Sequence, residues 1–255
     1  MVANRWVRLR ATASSITAET SERVEDWTWL TQYLQLELDL NAVLKSFPKD
    51  PPMRAAVREC RGLRLLRQDP WECLASFILS STKQILQIQQ IISLLCERYG
   101  DPVPGGEQHS RMHSFPTAKC LARLSETELR GCKMGFRAPF LLAAARAVAE
   151  DGFDLDALYH LPLERAREDL VKLKGVGRKI SDCVLLFAFG HQGAFPVDVW
   201  IMKALRQLYF PGRNVNLRQL QDFTATHFGP YAGYAQQYLF HYARSQMNRK
   251  TQTAA

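Results

Sequence analysis

The chain has 255 residues, 47% of them hydrophobic, which is enough to bury one substantial core or one core with a small appendage. Thirty-three Lys and Arg face 25 Asp and Glu, and the net charge of +8 suits a polyanionic partner. No apolar run approaches a membrane span and no basic-then-apolar leader opens the chain, so a membrane or secreted protein is not expected. The expectation is a cytoplasmic monomer, associated with the nucleoid if the source is bacterial.

Arg5 to Thr12 alternates in a short β-like pattern, and Ser/Thr/Ala-rich residues 13–20 predict a turn or loose connection. Leu34, Leu36, Leu38 and Leu40 alternate over Tyr33 to Leu40, which predicts a second short strand able to pair with the first. From Asn41 the pattern is helical. Lys83 to Tyr99 predicts a long amphipathic helix ended by Gly100, and the Gly/Pro/His-rich stretch Asp101 to Pro116 a loop. Ser125-Glu126-Thr127-Glu128 is a capping box that opens another helix. Ala138 to Glu150 predicts an alanine-rich helix stopped at Asp151-Gly152. Helices are also expected over Leu163–Leu173, Arg178–Phe189, Asn214–Thr226 and Tyr231–Met247, with Asn248 to Ala255 fraying. The fold class is therefore mainly α with a short N-terminal β segment.

Six cysteines (Cys60, Cys73, Cys96, Cys120, Cys132, Cys183) are scattered without a Cys-x-x-Cys pair, which fits reduced thiols. None follows Cys183, so no C-terminal iron–sulfur loop is expected. The six histidines are dispersed, and no metal-ligand cluster is legible.

The densest chemistry lies in Leu173-Lys-Gly-Val-Gly-Arg-Lys179 and Phe195-Pro-Val-Asp198-Val199. Gly175 and Gly177 permit a tight reversal between two predicted helices, and with Val176 they form a hairpin. The amides opening the second helix favour an anion, and in a basic chain the obvious anion is a backbone phosphate. A Gly-x-Gly turn alone also joins helices in unrelated folds, so it is weak evidence. Lys179 adds specificity: it stands in the first turn of its helix, where the dipole opposes an ammonium and favours a nucleophilic amine. Lys179, Cys183 and Phe187 are spaced i, i+4, i+8 on one helical face, so Cys183 and Phe187 are either a pocket wall beside the amine or ordinary core. Asp198 reads as the N-cap of a following apolar-periodic helix. A capped carboxylate has a fixed orientation and can stabilise a cationic sugar as a glycosidic bond breaks.

Leu173 to Cys183 with Val197-Asp198 resembles the helix-hairpin-helix (HhH-GPD) DNA glycosylase superfamily, and most closely its 8-oxoguanine DNA glycosylase/AP lyase family. Gly62 to Leu74 with Phe77 to Ser81, Met134-Gly-Phe-Arg-Ala138, and Gly229 to Gln236 with Phe240 extend the likeness over about residues 30–245. The resemblance implies a two-lobed helical fold and a bifunctional enzyme that flips an oxidised purine from double-stranded damaged DNA and needs no cofactor. It makes Lys179 the Schiff-base nucleophile and Asp198 the catalytic carboxylate. Cys183 and Phe240 would stack on the two faces of the flipped base, and Gln236 would bond its Watson–Crick edge. Phe136 and Arg137 would fill the gap left in the duplex, and Lys83 would contact DNA. The domains are expected as a remnant of the family's N-terminal β-rich domain over 1–40, the helical core over 41–248 with its hairpin at 163–189, and a tail over 249–255.

Three departures stand out. The family's Gly-Gln-x-Phe-x-Trp segment, whose glycine carbonyl reads the N7 hydrogen of 8-oxoguanine, is absent, so the chain is expected to begin partway through that domain. Ser80-Ser81-Thr82-Lys83-Gln84 stands where animal members have an asparagine run, and Trp200 stands where the family has a histidine. Two alternatives remain. A monofunctional alkylated-base glycosylase would use Asp198 to direct water, but such relatives usually lack Lys179. A catalytically decayed DNA-binding protein would keep the hairpin without needing Asp198.

Overall fold

The structure, a computed structural model, describes residues 1–2, 4–80, 84–105 and 112–253, with side chains to residue 246. In chain order its elements are β1 (Val7–Ala11), β2 (Ile16–Thr20), α1 (Thr28–Tyr33), α2 (Leu40–Ser46), α3 (Pro51–Glu59), α4 (Pro70–Ser80) and α5 (Ile85–Tyr99). Then come β3 (Pro102–Val103), β4 (Met112–His113), α6 (Ala118–Ala122), α7 (Glu126–Arg130), α8 (Ala138–Ala149) and α9 (Leu163–Val171). The chain closes with α10 (Arg178–Val184), a π-helical turn (Leu185–Phe189), α11 (Val199–Tyr209), α12 (Leu217–His227) and α13 (Ala232–Thr253). The fold is mainly helical with a small N-terminal sheet, as the patterning predicts.

Two compact units, each discontinuous in sequence, divide the chain. The first comprises residues 1–33, 68–160 and 171–176. Its core is Leu74, Ile78, Leu79, Ile91, Leu95, Leu121, Leu129 and Leu141, all at most 1% exposed, contributed by α4 to α8. The Ser125–Glu128 capping box forms as expected, the two side chains satisfying each other's backbone amides at 2.8 and 3.2 Å.

The second unit comprises residues 34–67, 161–170 and 177–255. Here α13 packs against α3 and α11. Tyr234 and Tyr238 are fully buried on α13, a burial worth roughly 1.5–3 kcal/mol for each large side chain. Their hydroxyls stay partnered: Tyr234 accepts from the Leu65 amide at 3.4 Å, and Tyr238 donates to the Leu63 carbonyl at 3.0 Å. Asp50 caps α3 by accepting from the Met53 amide at 2.8 Å, with Pro51 in the first turn.

Four local expectations change. Residues 16–20 are not a loose connection but β2, antiparallel to β1 with Val7 opposite Thr20 and Ala11 opposite Ile16. The Thr12 hydroxyl accepts from the Ser14 and Ser15 amides (3.3 and 3.0 Å) and so closes a short hairpin that spacing alone does not reveal. The leucines from Tyr33 to Leu40 form no strand. Gln35 turns left-handed at φ +50°, and Arg64 Nη1 donates to the Gln35 and Leu38 carbonyls at 2.7 and 2.9 Å, consuming acceptors a ladder would need. Within Asp101–Pro116, β3 and β4 pair, with Val103 opposite Met112. At the other end, α13 continues to Thr253, past the end expected for it.

Candidate active site

The hairpin follows α9. The Val176 amide donates to the Leu173 carbonyl at 3.0 Å, and Gly175 adopts φ +86°. A Cβ at Gly175 would fall 2.6 Å from Phe140 Cγ, so conformation and space both require glycine. Val176 is buried, whereas Gly177 is exposed, in extended conformation, and serves as the N-cap of α10. Its carbonyl accepts from the Ser181 amide at 3.0 Å, and having no side chain it leaves the first amides of α10 without a side-chain cap. The expected helix over Arg178–Phe189 forms in two parts, because after Val184 the turn widens into the π-helix. Gly190, left-handed at φ +75°, ends it.

A buried charge pair ties α9 to α10. Arg167 Nε donates to Asp182 Oδ1 at 2.7 Å, with side-chain exposures of 10% and 4%. Arg167 Nη1 also pairs with Glu164, and Arg178 Nε lies 3.8 Å from Asp182 Oδ2. Desolvation works against the Arg167 guanidinium, but the bonds to Glu164 and Asp182 outweigh it and hold its pKa above the usual value. Burial pushes the Asp182 carboxyl up, while Arg167 and Arg178 pull it back. Sequence reasoning missed this pair. The available signal was Asp182 itself, a carboxylate inside the apolar run around Cys183 and Val184.

Lys179 is half-buried in the first turn of α10. Asp198 is the N-cap of α11, its Oδ1 accepting from the Ile201 amide at 2.8 Å. Cys183, 4% exposed, lies in the field of both. Burial is the main cause that pushes its thiol up to about 12. The Lys179 charge acts against that rise, and the Asp182 and Asp198 carboxylates add to it. Phe187 is half-buried in the π-turn. The widened turn begins between Cys183 and Phe187, so the regular i, i+4, i+8 stripe does not extend to Phe187.

Gly233, Gln236 and Phe240 share one stripe of α13. Gly233 donates its amide to the Gln192 carbonyl at 2.8 Å, and a Cβ there would collide with Leu186 and lie 2.6 Å from the Ala194 carbonyl oxygen. This stripe thus packs directly on the π-turn that continues α10. Gln236 is 3% exposed, its Oε1 accepting from Gln237 Nε2 at 2.6 Å. Phe240 is half-buried, with the Arg244 guanidinium 5.5 Å from its ring centroid. Gly233 was also missed, since a glycine in the first turn of a helix carries no signal of what approaches it.

In the other unit, Phe136 is 55% exposed on a 3₁₀ turn, edge-on to Phe140. Arg137 is 1% exposed and lies beneath the Phe136 ring, 4.3 Å from its centroid; desolvation lowers its pKa. Arg137, expected in the gap left in the duplex, is thus covered in this structure. Lys83 lies outside the described residues. Trp200, in the first turn of α11, is 46% exposed. Among the described residues no group of His, Cys, Asp and Glu could hold a metal ion, and no helix is long and apolar enough to cross a membrane. All six cysteines are free.

A helix–hairpin–helix with a lysine in the first turn of its second helix and a capping carboxylate at the start of the helix after it defines a class of DNA-processing protein, and comparison with known proteins specifies it. The family model for the HhH-GPD superfamily base excision DNA repair proteins matches residues 75–223, and that for the 8-oxoguanine DNA glycosylase N-terminal domain matches residues 1–74. A probable N-glycosylase/DNA lyase of Methanothermobacter thermautotrophicus is 33% identical over 220 residues, covering 78% of this chain and 69% of that one. The N-glycosylase/DNA lyase OGG1 of Arabidopsis thaliana is 32% identical over 225 residues, covering 83% of this chain and 60% of that one. The Clostridium acetobutylicum 8-oxoguanine glycosylase/lyase, solved with double-stranded DNA containing cytosine opposite 8-oxoguanine, superposes with a TM-score of 0.88 at 32% identity, covering 94% of this chain and 82% of that one. The chain belongs to the HhH-GPD superfamily of base-excision DNA repair proteins and, within it, to the 8-oxoguanine DNA glycosylase family.

Proposed function

We propose that the chain is a bifunctional DNA N-glycosylase and AP lyase that removes 8-oxoguanine from duplex DNA. The observation that carries this reading is a half-buried lysine, Lys179, in the first turn of the helix that follows the glycine hairpin, together with the N-cap carboxylate of Asp198, whose orientation is fixed by the Ile201 amide at 2.8 Å. The Clostridium likeness supports the same activity.

In this mechanism the lesion is turned out of the stack into the pocket. Lys179 Nζ attacks the sugar C1′, the C1′–N9 bond breaks, and the base leaves with the bonding electrons and is protonated. The Asp198 carboxylate, oriented through its bond to the Ile201 amide, stabilises the cationic sugar while this happens. The C1′–Nζ adduct loses a proton from nitrogen, and the nitrogen lone pair then forms C1′=N as the C1′–O4′ bond breaks and O4′ is protonated, giving a Schiff base. Loss of a C2′ proton then expels the 3′ phosphate by breaking C3′–O, and hydrolysis of the imine restores Lys179. Cys183 and Phe240 sandwich the base and Gln236 reads its edge; Gln236 is nearly enclosed, so an unmatched edge would leave its amide unpaired. The amides at Gly175, Val176 and Gly177 and the start of α10 hold a backbone phosphate, and exposed Phe136 wedges into the vacated stack. Arg137 reaches the orphaned base only once the Phe136 ring that covers it has moved.

The test is borohydride trapping on an 8-oxoguanine:cytosine duplex. The wild-type chain should give a covalent protein–DNA band that Lys179→Gln abolishes. A band of undiminished intensity in Lys179→Gln would refute the assignment of the nucleophile. Base release without any trapped band in the wild type would indicate a monofunctional enzyme.

A further inference from the structure

The second unit carries an open cavity of about 640 Å³ that lies between α2 and α3 and that the glycosylase reaction does not use. Its floor is apolar: Phe47 and Met53 are buried there, and Leu44, Pro48 and Val57 are half-buried. Its rim is cationic: Lys45, Lys49, Arg54 and Arg58 are all exposed, and among the described residues no carboxylate lines it. The one acid in the connecting segment, Asp50, is turned to other partners. It caps α3, accepts from the Tyr209 hydroxyl at 3.2 Å, and lies 2.9 Å from His227 Nε2. Arg54 Nη1 donates to the Lys49 carbonyl at 2.7 Å, which fixes part of the rim.

Helix α3 explains how this surface arises. Ala56 is fully buried, and Cys60 Sγ, just past the helix end, donates to the Tyr238 carbonyl of α13 at 3.8 Å, so this side of the helix faces the core. Arg54, Val57 and Arg58, spaced i, i+3, i+4, make a second face on which an apolar side chain stands between two guanidinium groups. A surface that only tracked phosphates would need the cations but not a recessed apolar floor. A hydrophobic floor with a ring of like charge instead complements a segment that alternates apolar and acidic side chains.

We propose that this groove docks an acidic, amphipathic peptide segment of a partner protein, which inserts leucine- or phenylalanine-like side chains over Val57 and Met53 and sets carboxylates against Lys45, Lys49, Arg54 and Arg58. The groove thereby tethers the enzyme to another protein without occupying its DNA-processing residues.

The experiment uses the full chain and a short fluorescein-labelled peptide of alternating Asp/Glu and Leu/Phe, read by fluorescence anisotropy at physiological salt. Control peptides replace either the acids with Lys or the apolar residues with Ser. Binding by the first peptide alone is expected. Lys49→Glu with Arg58→Glu, or Val57→Ser alone, should weaken it at least about tenfold. Abasic-site cleavage should be unchanged in both, because these side chains lie outside the reaction; thermal unfolding should be unchanged in Lys49→Glu/Arg58→Glu, whose side chains are exposed, and the half-buried Val57 variant is assayed well below its own unfolding midpoint. Three results would overturn the proposal. The first is no binding; the second is equal binding of the serine-substituted peptide, which would reduce the groove to a charge patch. The third is displacement of the peptide by undamaged duplex together with a matching loss of duplex affinity in Lys49→Glu/Arg58→Glu, which would make this a nucleic-acid surface.

Discussion

Arg167 Nε stands 2.7 Å from Asp182 Oδ1, so the helix before the glycine hairpin and the helix after it are joined by a buried ion pair. The pair holds α10 at its second turn, one residue from Cys183 and three from Lys179. Removing one partner of such a pair leaves an uncompensated buried charge. Arg167→Met should destabilise the fold by about 3–5 kcal/mol, whereas Arg167→Met combined with Asp182→Leu should recover most of that loss. Urea unfolding of the two variants checks this. A single-variant loss below about 1 kcal/mol would mean that Arg178, 3.8 Å from Asp182, suffices as a partner.

Asp198 combines a cap and a charge, and Asp198→Asn separates them. The amide oxygen can still accept from the Ile201 amide, so the unfolding midpoint and duplex affinity should barely move. Single-turnover release of 8-oxoguanine should fall by about 10² to 10⁴. Parallel losses in affinity and turnover would make Asp198 a structural residue.

Gly233→Ala introduces a methyl where Leu186 and the Ala194 carbonyl already sit. Overpacking of this kind costs about 1–3 kcal/mol, and relief requires α13 to shift, carrying Gln236 and Phe240 with it. Lys179 is on a different helix. Excision of 8-oxoguanine should therefore fall more than cleavage of a preformed abasic site. Equal losses in the two assays would show that the shift reaches α10.

Cys183 has a thiol pushed up to about 12, chiefly by burial, so it stays protonated far above neutral pH. Because the thiolate is the reactive form, iodoacetamide at pH 8 should leave Cys183 unmodified in the native chain and alkylate it on unfolding. Peptide mass spectrometry distinguishes the two states. Rapid native alkylation at Cys183 would mean that the Lys179 charge outweighs burial.

The sequence by itself determined the helical class, the hairpin and the positions of Lys179 and Asp198. Each depends on interactions a few residues apart: Gly175 on its own φ of +86°, Asp198 on the amide of Ile201, the α7 cap on Ser125 and Glu128. Its failures at Tyr33–Leu40 and residues 16–20 have the opposite cause. Alternating leucines satisfy a strand pattern, but the carbonyls of Gln35 and Leu38 bond to Arg64, far along the chain, and β2 exists only because β1 pairs with it. The same limit hid Arg167 and Gly233, whose importance lies in Asp182, Leu186 and Ala194. Only the tertiary structure decided these points, because the burial of a charge pair, or the approach of a backbone to a helix, is set by chain segments distant in sequence, and no local periodicity encodes it.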